Sequence, residues 1–117
     1  ELQEPEFVGA EDFETLLVGW GSTWGPISEA VGLLNSQGIP SAALVFGDVY
    51  PLPEVLLREK AARAKRIVNV EQNATGQLAG LIREATGIQM AGSILKYDGR
   101  QISGEEIAER IRKGDLK

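Results

Sequence analysis

Short continuous apolar runs take turns along the chain with stretches in which apolar residues recur every three or four positions. Thr15-Leu16-Leu17-Val18-Gly19-Trp20 is such a run, bounded by polar residues and glycine, the pattern of a strand buried on both faces. A second strand is expected over Ser41 to Tyr50, centred on Ala42-Ala43-Leu44-Val45-Phe46, a third over Arg66 to Glu71, and a fourth over Ser93 to Tyr97. Between them lie helical patterns. Ile27, Ala30, Val31 and Leu34 fall at i, i+3, i+4 and i+7 and make one apolar stripe. Pro26 suits the first helical position, Gly38 the C-terminal cap, and Pro40 blocks continuation. Pro53 is expected to open the next helix, which carries Val55, Leu56, Ala61, Ala62 and Ala64 and ends near Lys65. A third helix from about Gly76 to Thr86 places Leu78, Leu81, Ile82 and Ala85 on one face and stops at Gly87.

The last helix has the clearest local start. Ser103 is followed three residues on by Glu106, a capping box, and Ile102 and Ile107 are placed to form the hydrophobic staple beside it. Arg110, Arg112 and Lys113 bring positive charge to its carbonyl pole before Gly114. Strand and helix alternate four times, which calls for a three-layer α/β/α domain with a mostly parallel sheet covered on both faces. Residues 1–12 read as a leading linker or a short edge strand at Phe7-Val8, and residues 13–117 as a single α/β domain.

Composition narrows the chemistry. The 117 residues contain neither cysteine nor histidine. Disulfides and cysteine-ligated clusters are excluded, and the commonest metal ligand and neutral-pH general base is missing. The formal charge of −5 disfavours nucleic acid as a partner. No apolar run approaches the length of a membrane span, and a cytoplasmic location is expected.

Four segments could carry function. Gly19-Trp20-Gly21-Ser22-Thr23-Trp24-Gly25 follows a strand and opens a helix, where a phosphate loop would sit. Its glycine spacing is one residue longer than a dinucleotide loop, and it lacks the P-loop lysine. Trp20 and Trp24 can serve either as core or as an interface. Glu71-Gln72-Asn73-Ala74-Thr75-Gly76-Gln77 spans a strand end and a helix start, the edge where ligands and partners bind in open α/β sheets. Asn73 or Thr75 could cap that helix, and Glu71 could accept hydrogen bonds from a neighbouring element or domain, with no acid–base partner in sequence. Lys96-Tyr97-Asp98-Gly99-Arg100 reads as a strand end, a turn and a surface ion pair. Arg58, Lys60, Arg63, Lys65 and Arg66 read as a solvated helix face, with a docking surface for an acidic protein as the alternative. No nucleophile–base pair, metal cluster or sound phosphate loop is present, so no catalytic, cofactor-binding or metal residue is assigned.

Val18-Gly19-Trp20-Gly21-Ser22-Thr23-Trp24-Gly25-Pro26-Ile27 with Glu29-Ala30-Val31, Tyr50-Pro51-Leu52-Pro53, Val70 to Leu78 and Ile94 to Arg100 resemble, in this order, the 2-oxoacid:ferredoxin oxidoreductases. The likeness covers about residues 15 to 107 and is to the carboxy-terminal domain of the alpha subunit in 2-oxoglutarate-type enzymes. The resemblance implies a transketolase carboxy-terminal-domain-like fold. It also implies a parent enzyme that oxidatively decarboxylates a 2-oxoacid, 2-oxoglutarate by type, to acyl-CoA, using coenzyme A, thiamine diphosphate, Mg2+, iron–sulfur clusters and ferredoxin. The segment would brace the amino-terminal domain of its own subunit and the beta subunit, binding no cofactor itself. Trp20, Gly21, Trp24, Glu71, Asn73, Gly76 and Gln77 are then the interface or fold-defining positions. Two other functions compete: the equivalent domain of a 2-oxoacid dehydrogenase or transketolase-like enzyme, and a free-standing ligand-binding or adaptor module.

Overall fold

A computed structural model of the chain describes residues 4–47, 52–72, 76–96 and 100–116. Five strands form one sheet: β1 (Glu6–Gly9), β2 (Thr15–Trp20), β3 (Ser41–Phe46), β4 (Arg66–Glu71) and β5 (Gly92–Leu95). Four helices accompany them: α1 (Trp24–Ser36), α2 (Val55–Arg63), α3 (Gln77–Thr86) and α4 (Gly104–Lys113). The strand order is β1-β3-β2-β4-β5. β2, β3, β4 and β5 run parallel, and β1 lies antiparallel on the β3 edge with Glu6 opposite Val45. The leading segment thus contributes an edge strand to the sheet.

Side-chain alternation along each strand divides the core into two layers. Leu17, Ala43, Val45, Val68, Val70 and Ile94 point to one face, where α1 and α4 cover them with Ile27, Ala30, Val31, Leu34, Ile107, Ala108 and Ile111. Leu16, Val18, Ala42, Leu44, Phe46 and Ile67 point to the other, under Leu57 of α2 and Leu78 and Ile82 of α3. This is the three-layer, mostly parallel architecture that the alternation of strand and helix demands. The α1 stripe is buried as its spacing requires. The end of α1 is tied to the start of β3 by Asn35. Its Nδ2 donates to the Ser41 carbonyl at 3.0 Å, and its Oδ1 accepts from the Ser41 amide at 2.7 Å.

Several boundaries differ from the sequence expectation. A 3-10 turn over Gly21–Thr23 runs directly into α1, so Pro26 is the third residue of that helix rather than the first. It still lies in the first turn, where its missing amide has no intrahelical partner to lose. α2 begins at Val55, two residues after Pro53. Leu57 and the stem of Lys60 are buried, the expected Leu56, Ala61 and Ala64 pack partly buried against the core, and Ala62 and Val55 face outward. On α3, Leu78 and Ile82 are buried, Leu81 is half-buried and Ala85 is exposed. β3 ends at Phe46, with Gly47 in a bend, and the expected continuation over 48–50 lies outside the described residues, as does Tyr97 beyond β5.

α4 starts as its local sequence dictates. Ser103 Oγ accepts from the Glu106 amide at 3.0 Å, and Ile102 and Ile107 are buried in the same core layer. The Glu106 carboxylate pairs with Lys96 Nζ at 2.9 Å, joining the helix to the end of β5. Gly114, left-handed, closes the helix. Ser103→Ala should cost about 1 kcal/mol through the lost cap, lowering the melting temperature by about 4 °C. Thermal unfolding followed by circular dichroism checks this, and an unchanged midpoint would place the cap elsewhere.

Candidate functional site

β2 and β4 are neighbours, yet the chain leaves them in opposite directions: through α1 to β3 on one side, and through α3 to β5 on the other. Their C-terminal ends are therefore the topological switch point, the place where open α/β sheets bind ligands. Both glycine-containing turns singled out in the sequence lie here.

At the β4 end, Glu71 is fully buried. Its carboxylate accepts from the Leu78 amide at 3.0 Å on each oxygen and from the Ala79 amide at 3.2 Å. These are orphan donors of the first turn of α3, and the helix dipole favours a negative group at that pole. Asn69 Nδ2 donates to the same carboxylate at 2.5 Å, and Asn69 Oδ1 accepts from Ser93 Oγ on β5. Glu71 therefore occupies the position at which a helix N-terminus would receive a phosphate. Gly76 is the N-cap of α3 with φ of +66°, a left-handed conformation that an L side chain adopts only with strain. Gln77 is the exposed first residue of that helix, and Asn73, with Thr75, lies outside the described residues. Gln72 Oε1 accepts from the Ile102 amide at 3.2 Å, tying the turn to the approach to α4.

At the β2 end the glycines serve packing. A Cβ on Gly19 would collide with Ile27 Cδ1 and Thr23 Oγ1, so the missing side chain lets α1 close onto the sheet. Thr23 is buried and its Oγ1 donates to the Trp20 carbonyl at 2.8 Å. Gly21 is exposed with φ of +62°. The two tryptophans divide: Trp20 is partly buried against the α2–α3 layer, and Trp24 is 43% exposed. A cleft of about 200 Å3 beside Trp24 is lined also by Glu4, Glu6, Gly21, Val45, Phe46 and Gly47.

The basic cluster is largely the solvated face expected: Arg58, Arg63 and Lys65 are exposed, Arg66 is half-buried, and Lys60 alone is buried. Lys60, 8% exposed, lies 4.4 Å from the centroid of the Phe7 ring and 3.9 Å from Glu11. Arg63 stands over Phe13 at 5.5 Å and donates to the Glu11 carbonyl at 2.6 Å. Arg58 pairs with Glu54, Lys65 with Glu14, and Arg66 donates to Thr15 Oγ1. The contacts of Lys60, Arg63, Lys65 and Arg66 join residues 7–15 to α2 and the start of β4, whereas the Arg58 pair is local to α2. Among the described residues, no group of three or more carboxylates is placed to hold a metal ion.

Asn69 and Ser93 belong to the switch-point network although the sequence reading does not single them out, and Gln72 lies within the candidate segment without an assigned role. A lone amide within the apolar run of β4 was the available signal for Asn69.

Such a geometry defines an open, mostly parallel α/β domain whose switch point is closed by its own carboxylate. No family model matches the chain. It is 36% identical over 108 residues to the alpha subunit of 2-oxoacid:ferredoxin oxidoreductase 1 of Aeropyrum pernix, a match covering 91% of this chain and 17% of that protein. The structure of 2-oxoglutarate:ferredoxin oxidoreductase from Magnetococcus marinus, with 2-oxoglutarate, coenzyme A and succinyl-CoA bound, is similar with a TM-score of 0.87 at 27% identity, over 95% of this chain and 19% of that one. The alpha chain of a probable 2-oxoacid ferredoxin oxidoreductase from Thermoplasma acidophilum is 30% identical, over 94% of this chain and 95% of that one, with a TM-score of 0.64. The chain belongs to the alpha-subunit family of the 2-oxoacid:ferredoxin oxidoreductases. It spans 16 to 17% of the length of the first curated relatives it matches, so it corresponds to one domain of such a subunit.

Removing the Glu71 carboxylate would leave buried amide donors without their acceptor. Glu71→Ala should cost roughly 3 kcal/mol, and Glu71→Gln less, because the amide oxygen still accepts. Urea unfolding measures both. Hydrogen exchange at the Leu78 amide should accelerate in the alanine variant, and unchanged protection there would show that the carboxylate does not hold α3.

Proposed function

We propose that the chain is a non-catalytic structural domain of a thiamine-diphosphate-dependent 2-oxoacid:ferredoxin oxidoreductase, and that it presents contact surfaces while other segments hold the reacting groups. The observation that carries this reading is the Glu71 carboxylate at the N-terminus of α3. It fills with protein the switch-point pole that a diphosphate would use. Family membership supplies the parent reaction: oxidative decarboxylation of a 2-oxoacid, with coenzyme A as acyl acceptor and ferredoxin as electron acceptor. The name of the Magnetococcus relative favours 2-oxoglutarate as substrate.

The residues of this chain do not fit the parent's cofactors. An iron–sulfur cluster is held by thiolates, and the chain has no cysteine. A Mg2+–diphosphate pair needs carboxylates and an open helix pole, and at the switch point the α3 pole is already occupied by Glu71. Thiamine diphosphate, Mg2+ and the cluster are therefore assigned to the remainder of the alpha subunit and to the beta subunit. These two bodies are the proposed partners of the domain, in the cytoplasm. Trp20, Gly21, Trp24, Glu71, Gly76 and Gln77 are read as fold-defining or interface positions, with Trp24 the exposed large apolar side chain among them.

Isothermal calorimetry of the 117-residue chain with thiamine diphosphate and Mg2+ should give no binding heat. The beta subunit should co-purify with the alpha subunit that contains this sequence. Tight cofactor binding, or turnover of a 2-oxoacid by these residues alone, would overturn the assignment.

A further inference from the structure

The two exposed large apolar side chains among the described residues, Trp24 at 43% and Val55 at 74%, begin the helices that follow β2 and β3. These strands finish level, with Trp20 opposite Phe46, so both side chains sit at one end of the sheet. Antiparallel β1 brings its leading residues to the same end. Glu4 links the two: its carboxylate accepts from the Leu56 amide at 3.2 Å at the start of α2, and it lines the cleft beside Trp24. Glu6 lines the same cleft and is exposed. Among the described residues, two aromatic residues (exposed Trp24 and buried Phe46), two acidic residues and no basic residue thus line a space of about 200 Å3.

An indole face and carboxylates together recognise an organic cation, through the ring quadrupole and charge-assisted hydrogen bonds. The molecule makes the same kind of contact internally, with Lys60 over Phe7 and Arg63 over Phe13. The space is smaller than the roughly 300–1,000 Å3 of small-molecule and cofactor sites, so it matches a single side chain better than a cofactor. None of the basic residues of α2 or the start of β4 lines it. Because the chain spans 17% of its Aeropyrum relative, most of such a subunit lies outside it. The geometry points to one occupant: an arginine or lysine side chain carried by another segment of the same alpha subunit, seated between Trp24 and Glu4–Glu6. This inference rests on the interface reading above and specifies the contact chemistry of that interface.

Hydroxyl-radical footprinting with mass spectrometry reads Trp24 individually, in the 117-residue chain and in the alpha subunit purified in its native complex. Trp24 should be labelled readily in the chain and protected in the subunit. In the subunit, Glu6→Lys should raise Trp24 labelling about tenfold by placing a like charge beside the incoming cation, with Glu6→Gln intermediate. Since Glu6 is exposed, circular dichroism of both variants should match the parent. Equal labelling of Trp24 in chain and subunit would overturn the docking site, while leaving intact an interface formed by another face. Protection insensitive to both Glu6 variants would mean an apolar occupant and would also overturn it. Protection that grows with concentration in the isolated chain would mean that a second copy fills the cleft, again against the inference. Cofactor binding by the chain, by contrast, would remove the interface reading itself.

Discussion

A carboxylate cannot be withdrawn from water without partners, and the buried Glu71 obtains them from the backbone of the next helix. The Leu78 and Ala79 amides and the Asn69 side chain satisfy it. The negative group answers the positive pole of α3. One side chain thereby fixes the end of β4, the start of α3 and, through Asn69 and Ser93, the neighbouring strand β5. In dinucleotide-binding proteins of open α/β architecture a ligand's pyrophosphate fills the corresponding place. Here a carboxylate of the protein itself fills that place.

Packing at the neighbouring strand serves the same purpose. Gly19 gives up its side chain so that Ile27 and Thr23 can close over β2. A phosphate loop uses its glycines to bring backbone amides to a ligand, whereas this one uses the space for protein. Similar glycine patterns can therefore serve opposite ends, and the neighbouring side chains reveal which applies.

The distribution of charge follows from how β1 is held. Lys60 and Arg63 extend across Phe7 and Phe13, whose rings stand 6.1 Å apart, and the aliphatic stems add apolar contact. Two of the α2 cations, Lys60 and Arg63, thus help to secure the edge strand, while Arg58 pairs with Glu54 at the start of its own helix. The opposite end of the sheet keeps carboxylates and an exposed indole. For a domain of a larger subunit, this asymmetry separates a self-contained face from one suited to contact.

Local periodicity was enough to identify the four parallel strands, the four helices and the capped start of α4, because strand pleat, helical repeat and capping act between residues a few positions apart. Family membership was legible too, in short turn segments such as Val70 to Leu78 whose residue types are constrained by tight geometry. Long-range packing decided the rest. Nothing near Glu71 in sequence states that its carboxylate turns inward onto α3, since the donors become neighbours only when the crossover packs against the sheet. Trp20 and Trp24 are similar residues four positions apart, and they separate into half-buried and exposed roles only because the chain passes between them from strand to helix. Lys60 reads as a surface cation until β1 brings Phe7 beneath it. Elements are encoded by neighbours along the chain, whereas burial and partnership are settled by how the elements pack, over separations from the eight positions between Glu71 and Ala79 to the dozens between Phe7 and Lys60. Those residues meet only when the layers close, where the apolar surface withdrawn from water offsets the chain entropy lost.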